Sequence, residues 1–214
     1  MEELMQEDTL KQFLPATESW FRKTFGEPTK IQREAWPAIA DGKHVLVSAP
    51  TGTGKTLSAF LVFIDQLGGL AERGELKEEL YVIYVSPLKS LAGDIRENLR
   101  KPLEGIGAEA PGESKAESRP GNPSIGQIQA AIRTGDTPQK ERQRMVKHPP
   151  HILIITPESL YLMLTSKSGR QVLKTAKAII LDEIHALIDT KRGAHLMLSV
   201  ARLDKLCGRR LQRI

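Results

Sequence analysis

Residues 49–56, APTGTGKT, place two glycines, a lysine and several hydroxyl side chains directly after the apolar run at 45–48. Glycines allow backbone N–H groups to approach a phosphate closely. Lys55 would then reach the terminal phosphates of a nucleotide, and Thr56 would offer a hydroxyl to Mg²⁺. The general pattern for such a loop has a glycine where this chain has Ala49. The segment therefore predicts a strand, a phosphate-binding loop and a helix, with one departure from the pattern.

A pair of acids follows another apolar run, in the segment AIILDEIH at 178–185. One carboxylate can hold Mg²⁺ through its water shell, and the next can orient and deprotonate an attacking water. Alone, an acid pair after a strand is a weak signal, because acids often cap the next helix. Combined with the phosphate loop, it predicts nucleotide hydrolysis with Lys55, Asp182 and Glu183 as catalytic residues and with Thr56 and Asp182 at the metal.

Thr29 and Gln32 lie three positions apart in the segment GEPTKIQREAW. This spacing is that of a capping box, and it predicts a helix that begins at Lys30. The alternative is that the Gln32 amide pairs with the N6/N7 edge of adenine, as amide side chains do in nucleic-acid recognition. The spacing alone favours the capping box, and the two interpretations are compatible.

Short runs rich in valine and isoleucine indicate parallel strands that are buried on both faces. The strands are predicted at 45–48, 81–85, 127–132, 152–155 and 178–181, and the helices between and after them at 56–67, 88–100, 138–146, 157–164 and 192–206. This order predicts an α/β fold with a doubly wound parallel sheet. Residues 105–126 are rich in Gly, Pro, Ser and Glu, and they predict a long flexible loop within one domain spanning 1–214.

Three of the predicted strands are followed by a hydroxyl residue and a proline: Ser86-Pro87, Thr137-Pro138 and Thr156-Pro157. Each pair predicts a helix with a hydroxyl cap and a proline in its first turn. The helices would open at the carboxyl edge of the sheet, where open α/β sheets bind their ligands. Helix capping explains the pattern without any ligand. If a ligand binds there, the row of helix N-termini suits phosphates.

Composition narrows the class of protein. A hydrophobic content of 40% is enough for a core, and the single cysteine, Cys207, cannot form an internal disulfide. No apolar run approaches the roughly 20 residues that span a bilayer, and the acidic N-terminus lacks the features of a signal peptide. We therefore expect a cytoplasmic protein in a reducing setting, without a membrane partner.

The basic charge is concentrated near the end of the chain. Seven basic residues follow position 190, against one acid, Asp204, although the net charge of the whole chain is only +5. Such a local excess favours a polyanionic partner. Charge alone leaves open the alternative of a solvated helix face followed by a frayed terminus.

The motifs PTKIQ, APTGTGKT, SPLKSLAGDI, RTGDTP, TPESL and LDEIH, in this order, resemble the first RecA-like motor domain of superfamily 2 helicases. The stretches FGEPTKIQREAWPAI and KRGAHLMLSVARL are similar to the large helicase-related (Lhr) family in particular. The resemblance runs from about Phe13 to the end, apart from the loop at 105–126. Alanine is usual in that family at the position of Ala49, so the missing glycine does not argue against a phosphate-binding loop.

The resemblance implies a RecA-like P-loop NTPase domain that uses ATP and Mg²⁺ and binds nucleic acid. It makes Gln32 part of an adenine-sensing Q motif, and it makes His185 the residue that couples nucleotide state to strand grip. The implied ATP-binding residues are Phe25, Pro28, Thr29, Gln32, Thr51, Gly52, Thr53, Gly54, Lys55 and Thr56. The implied nucleic-acid contacts are Pro87, Leu88, Lys89, Arg133, Thr134, Gly135, Thr156 and Pro157.

The resemblance further implies a DNA helicase of 3′-to-5′ polarity, because TPES and DEIH differ from the corresponding segments of DEAD-box RNA helicases. Two alternatives stay open: an ATP-dependent RNA helicase or remodeller, and a nucleotide-dependent binding module without motor activity. The sequence stops at RLQRI, before the second RecA-like domain that the family would have. We therefore expect a monomeric fragment that binds ATP weakly and does not unwind nucleic acid alone.

Overall fold

The computed structural model describes residues 8–50, 53–87, 89–109 and 127–214, with the backbone alone at 89–94 and 97. The chain divides into two compact units. The first comprises 1–76 and 100–127, and the second comprises 77–99 and 128–214. Helix α4, Lys89–Glu109, contributes residues to both. Among the described residues, no helix is both long and apolar enough to cross a membrane.

The first unit is built from helices. A 3₁₀ turn at Thr9–Gln12 precedes α1, Pro15–Phe25, which is followed by α2, Lys30–Ala40, and α3, Lys55–Glu72. Phe13 and Phe21 pack edge-on against the fully buried Trp36 of α2, with ring centroids 4.9 Å and 5.3 Å from that of the tryptophan. Such edge-to-face pairs stabilise a core beyond the area that they bury. They fix α1 and the preceding turn against α2.

The end of α4 also belongs to this packed core, which corrects part of the loop prediction. Residues 105–109 are helical, Ile106 is fully buried, and Glu109 accepts hydrogen bonds from Ser19 at 2.9 Å and Lys23 at 2.6 Å. A Cβ at Gly105 would lie 2.0 Å from Trp20 Nε1, so this glycine is what permits the close approach to α1. The loop prediction was wrong at 105–109, because contacts made outside the segment stabilise its helix. Residues 110–126 lie outside the described residues.

The strand predicted at 45–48 is absent. Residues 43–50 have no regular secondary structure, and the side chain of Leu46 is 83% exposed. A valine-rich pattern expresses β-propensity, but a strand forms only where a neighbouring strand accepts its hydrogen bonds. No strand pairing of the described sheet includes these residues.

The second unit contains a parallel sheet with the strand order β2-β3-β1-β4-β5. Its strands are β1, Val82–Val85; β2, Ala130–Arg133; β3, Ile152–Ile155; β4, Ala178–Leu181; and β5, Gln212–Arg213. Val85 is paired with Ile155 and with Leu181, and Ile155 is paired with Arg133. The four longer strands therefore end level with one another and form one carboxyl edge.

Both faces of this sheet are buried. Alternate strand residues, including Ile83, Leu153 and Ile179, pack in one core with helices α5, Gln139–Lys147; α6, Pro157–Thr165; α7, Lys167–Leu173; and α8, Lys191–Cys207. Residues of the other face, such as Tyr84 and Ile154, are 1% exposed or less. Strands covered on both faces are typical of the doubly wound α/β fold, and that prediction is confirmed.

Candidate functional site

The end of the phosphate loop lies at the start of α3. Gly54 is the N-cap, with φ of +86°, a left-handed conformation that glycine adopts without strain. Its carbonyl accepts a hydrogen bond from Ser58 Oγ at 2.9 Å, and Thr53 Oγ1 donates to the Pro50 carbonyl at 2.8 Å. Lys55 and Thr56 therefore occupy the first turn of the helix, as predicted, and both are half-buried. Thr51 and Gly52 lie outside the described residues.

The Lys55 ammonium donates a hydrogen bond to the carbonyl of Ala49, at the other end of the loop. This bond closes the loop. An ammonium has three donors, so two others are available for phosphate oxygens. The positive charge at the N-terminus of α3 reinforces that preference for an anion.

The Thr29–Gln32 segment forms the predicted capping box at the start of α2. Gln32 N donates to Thr29 Oγ1 at 3.4 Å, and Thr29 N donates to Gln32 Oε1 at 2.9 Å. Thr29 Oγ1 also donates to the Thr53 carbonyl at 3.2 Å. A Cβ at Gly54 would lie 2.6 Å from Gln32 Nε2, so the buried amide lies directly against the phosphate loop. The structure thus brings the two segments together.

Phe25 and Pro28 flank this contact differently. Phe25 is 54% exposed at the end of α1, and its ring lies 5.1 Å from that of Phe21 and 5.6 Å from that of Trp20. The ring is held in orientation by its neighbours while much of it stays accessible. Pro28 is buried, and its carbonyl accepts a hydrogen bond from Arg33.

In the second unit, the predicted nucleic-acid segments all follow strands at the carboxyl edge. Ser86 N donates to the Ile155 carbonyl and Asp182 N donates to the Val85 carbonyl, both at 3.0 Å. These bonds extend the sheet pairing by one residue beyond the strand ends. Pro87, Arg133, Thr156 and Asp182 consequently leave the sheet side by side. Leu88 and the side chain of Lys89 lie outside the described residues.

Of the two hydroxyl-proline pairs whose following helix start is described, one behaves as predicted. Thr156 caps α6, its Oγ1 accepts from Ser159 N at 3.4 Å, and Pro157 is in the first turn. Pro138 is itself the N-cap of α5, whereas Thr137 Oγ1 accepts from Thr134 N at 2.9 Å and so closes a turn before the helix. Helix α4 begins at Lys89, directly after Leu88, which lies outside the described residues. A short hydroxyl side chain can bond a local turn instead of a helix, which explains the wrong prediction at Thr137.

The RTGD turn is held by an arginine that the sequence did not single out. Arg142 donates from Nε to the Thr137 carbonyl and from Nη2 to the Gly135 carbonyl, both at 2.7 Å. Burial, and secondarily the charge of Arg142, lowers the pKa of Arg133. Two guanidinium groups therefore lie at the same turn, where they would favour an anion.

The acid pair stands at the end of β4 on a strained turn. Glu183 has φ of +48°, an uncommon conformation for a residue with a side chain, and it caps the 3₁₀ turn Ile184–Ala186. Its Oε2 lies 3.3 Å from His185 Nε2, so the predicted base and the predicted coupling residue are in contact. Backbone strain of this kind concentrates at functional sites.

The residues described here contain no group of three or more His, Cys, Asp or Glu side chains arranged to hold a metal. Mg²⁺ is usually held by one or two carboxylates together with substrate phosphates and water. Thr56 and Asp182 carry the hard oxygen atoms that Mg²⁺ prefers. The residues present therefore fit the ion that the sequence implies.

Comparison with known proteins decides the family. The model of the DEAD/DEAH box helicase family matches residues 29–213, which is most of the chain. The chain belongs to the DEAD/DEAH box helicase family. The match includes both the Thr29–Gln32 segment and the acid pair.

Among proteins of this helicase family, the chain is similar to those named Lhr. It is 49% identical to ATP-dependent helicase Lhr-Core of Methanothermobacter thermautotrophicus, over 91% of this chain and 22% of that protein. It is 47% identical to the Lhr helicase/probable uracil glycosylase of Mycolicibacterium smegmatis, over 97% of this chain and 13% of that protein. The chain thus spans less than a quarter of the length of either relative. The resemblance drawn from the motifs is confirmed.

Solved helicase structures agree with the fold. The Mycobacterium smegmatis helicase Lhr bound to ssDNA and AMP-PNP matches with a TM-score of 0.84 and 47% identity, over 97% of this chain and 25% of that one. The DEAD-box helicase Mss116 bound to ssRNA matches with a TM-score of 0.77 at 19% identity, over 99% of this chain and 40% of that one. The second match supports the fold alone, and together they confirm the RecA-like prediction.

One further pair in this helicase domain has no signal in the sequence. Arg192 Nε lies 2.5 Å from Glu158 Oε1, and Arg192 Nη2 lies 3.1 Å from Glu158 Oε2. The hydrogen bond from Arg192 lowers the pKa of Glu158. The pair joins the start of α6, in the TPES segment, to the start of α8, which follows the acid pair. Because 34 positions separate the partners, only the fold reveals it.

Proposed function

We propose that this chain is the ATP-binding motor domain of an ATP-dependent helicase that moves 3′-to-5′ on single-stranded or forked DNA. The observation that carries the proposal is the contact between the Gln32 amide and Gly54 of the phosphate loop. A nucleotide whose phosphates occupy the loop would have its base in reach of an amide that is already oriented.

The orientation of Gln32 favours adenine over guanine. Its Oε1 accepts from Thr29 N at 2.9 Å, which fixes the direction of the amide and leaves one lone pair and the Nε2 hydrogens for a base. Adenine offers a donor at N6 and an acceptor at N7, which match this pair of groups. Guanine offers acceptors at both O6 and N7, so its O6 would face the glutamine oxygen without a proton between them.

The residues of the two motifs then have separate tasks. The Lys55 ammonium and the N-terminus of α3 neutralise phosphate charge, and Glu183 orients and deprotonates the attacking water. Thr56 and Asp182 would hold Mg²⁺, which supplies additional positive charge at the phosphates. His185, which is in contact with Glu183, would relay the state of that carboxylate to the residues that follow it.

The carboxyl edge of the second unit supports a strand track. The helix N-terminus at Thr156, the RTGD turn with Arg133, and the turn at Pro87 lie in a row and offer backbone N–H groups and cations. Such contacts bind the phosphate backbone and position a strand without reading bases. The relative of 47% identity was solved with ssDNA, which favours DNA.

Nucleotide selectivity tests the base contact. In Gln32→Glu, the side chain keeps the acceptor that the capping box needs but loses the Nε2 donors. We expect the unsubstituted chain to bind MgATP about tenfold more tightly than MgGTP, and Q32E to lose this preference, because one unpaired buried group costs about 1–3 kcal/mol. The exposed Gln12→Glu provides the same change of charge as a control. An unchanged ratio in Q32E would leave Gln32 with a capping role only.

Binding of labelled oligonucleotides tests the substrate class. With AMP-PNP present, we expect the chain to bind single-stranded DNA more tightly than RNA of the same sequence, and Arg133→Ala to weaken this binding. The exposed Arg144→Ala on α5 is the control. Tighter binding of RNA would favour the RNA remodeller, and no effect of R133A would remove the RTGD turn from the track. In the longer protein, displacement from 3′-tailed but not 5′-tailed duplexes would establish polarity.

A further inference from the structure

The basic residues near the end of the chain have different partners in the fold. Arg192 is paired with Glu158, and Arg213 with Asp204 at 2.5 Å. Arg209 donates to the carbonyls of Thr175 at 3.3 Å and Ala176 at 2.9 Å. Arg202 and Lys205 have no such partner within the described ranges. Two of the seven basic residues are therefore neutralised by acids in the described ranges, and Arg202 and Lys205 on the last turns of α8 are not among them.

Arg202 and Lys205 line a cleft of about 420 Å³ that they share with Arg170 of α7. The other lining residues are Leu164 and Leu206, so three cations and two leucines surround the cleft without an acid among them. In the described part of the chain, none of the three cations makes an ion pair. Like charges that are gathered without a counter-charge repel one another, unless an anion binds between them.

Helix-dipole compensation does not account for all three cations, because Arg202 lies before the last turn of α8. Cations are common in the last turn of a helix because they complement its free carbonyls. Here the carbonyls at the end of α8 accept hydrogen bonds from the backbone N–H groups of Gly208 and Arg209. Beyond α7, the carbonyls of residues 175 and 176 accept from the Arg209 side chain. Some of the carbonyls that Arg170 and Lys205 would otherwise complement therefore already have donors.

The cleft lies at the amino edge of the sheet, opposite the strand track. Thr175 Oγ1 donates to the Leu80 carbonyl at 3.0 Å, just before β1 begins, and Cys207 Sγ donates to the Leu173 carbonyl at 3.4 Å. These contacts place the ends of α7 and α8 at the amino edge. Thr156 and Arg133 lie at the carboxyl edge of the same unit. The cleft is therefore separate from the residues proposed to grip the strand.

We propose that the amino-edge cleft of Arg170, Arg202 and Lys205 is a second nucleic-acid site, which takes the phosphate backbone of a duplex. A polyanion supplies repeated charge whatever its sequence. No acid occurs between Leu160 and Leu181, and Asp204 of α8 is paired with Arg213. Leu164 and Leu206 provide an apolar wall suited to the sugar faces between phosphates. The inference rests on the proposed function only in that the polyanion is a nucleic acid.

The salt dependence of duplex binding tests the cleft. Anisotropy of a labelled blunt DNA duplex is measured against salt for the unsubstituted chain, Arg170→Gln/Arg202→Gln and Arg170→Glu/Arg202→Glu. We expect affinity to fall at least tenfold in the glutamate pair, and the slope of log K against log salt to fall by about 2 in the glutamine pair, as loss of two phosphate contacts requires. Circular dichroism verifies that each variant is folded.

The control is Lys11→Glu/Lys101→Glu, which changes the net charge equally at two exposed residues outside the cleft. Equal weakening by this pair would reduce the effect to net charge and overturn the proposal. Polyglutamate and unlabelled DNA are also compared as competitors of the labelled duplex on a common scale of negative-charge concentration. If polyglutamate competes at the lower concentration, and this competition is lost in the cleft variants, the cleft binds an acidic protein instead. MgATP binding and AMP-PNP-dependent binding of single strands should stay unchanged in the cleft variants. If the unsubstituted chain itself shows neither activity, that result counts against the proposed function and not against the cleft.

Discussion

The two segments expected to handle the nucleotide have different structural support. In the first unit, residues 43–50 before the phosphate loop have no regular secondary structure, and Leu46 is 83% exposed. Thr53 and Lys55 donate hydrogen bonds to the carbonyls of Pro50 and Ala49. Residues 181–193 of the second unit follow the buried strand β4 and are continued into α8 by tight backbone packing at Gly193. Side-chain hydrogen bonds join the described parts of the first segment, whereas the second segment is held by the sheet and its core.

This difference predicts which substitutions should lower stability and which should alter ligand binding. A change in the acid-pair segment disturbs the packing of the second unit, so it should lower stability. A change in the phosphate-loop segment removes few contacts, so it should alter ligand binding while leaving stability almost unchanged.

Gly193→Ala should give the largest effect, about 3 kcal/mol of lost stability. A Cβ at this position would lie 2.0 Å from the Leu187 carbonyl oxygen, and backbone cannot move aside without shifting α8. Urea unfolding followed by circular dichroism measures the loss. Ala201→Ser, on an exposed position of the same helix, should cost less than about 0.5 kcal/mol. A loss equally small in G193A would mean that this segment is not held by close packing.

Gly105→Ala should cost about 2 kcal/mol in the first unit, because its Cβ would lie 2.0 Å from Trp20 Nε1. Both tryptophans lie in this unit, so their fluorescence during urea unfolding reports its stability. Trp20→Phe in the same chain should recover part of the loss, since a smaller ring leaves room for the added methyl group. Unchanged stability in G105A would restore the original prediction that this end of α4 is loop.

His151 should make the second unit sensitive to acid. Burial lowers the pKa of this histidine, and its Nδ1 accepts a hydrogen bond from Gln129 N at 2.9 Å, which requires a neutral ring nitrogen. The folded state therefore binds the proton less readily than the unfolded state. Its stability should be level above about pH 6.5 and fall by up to about 1.4 kcal/mol per pH unit below it.

The pH dependence is read from urea unfolding at a series of pH values. His151→Gln should flatten this part of the profile even if it lowers stability throughout. His148→Gln, at an exposed position, should retain it. A profile that is the same for both variants would assign the acid sensitivity to other groups.

Leu46→Thr should give the smallest effect, below about 0.5 kcal/mol, because the side chain is 83% exposed and pairs with no strand. The comparison depends on this result. A loss of about 2 kcal/mol would show that Leu46 is buried in solution, as the valine-rich pattern of 45–48 predicts. The phosphate loop would then have the same kind of support as the acid pair.

The sequence predicted most of the second unit because its signals are local. Strands β3 and β4 and the Thr156 cap follow from apolar runs and hydroxyl-proline chemistry, and they are found at the predicted residues. The predictions that were wrong concern segments whose structure depends on residues distant in the sequence. The helix at 105–109 exists because of Trp20 and Ser19, and the run at 45–48 has strand propensity without a paired neighbour.

The candidate site divides in the same way. The capping box at Thr29 and Gln32 is visible in their spacing, but its contact with Gly54 is not. No sequence pattern indicates that Arg192 pairs with Glu158 or that Arg142 donates hydrogen bonds to the RTGD turn. Motif spacing therefore predicts local features such as the capping box better than it predicts the contacts between distant residues that hold the site.

Calorimetric titration of MgATP into this chain and into Lys55→Ala measures whether the segment 49–56 binds the phosphates. We expect saturable binding to the unsubstituted chain, at least tenfold weaker binding to K55A, and equal urea stability of the two proteins, because Lys55 makes one loop contact and serves the phosphates. Equal affinity of both chains for MgATP would contradict this expectation, since the segment 49–56 would then not be the phosphate site.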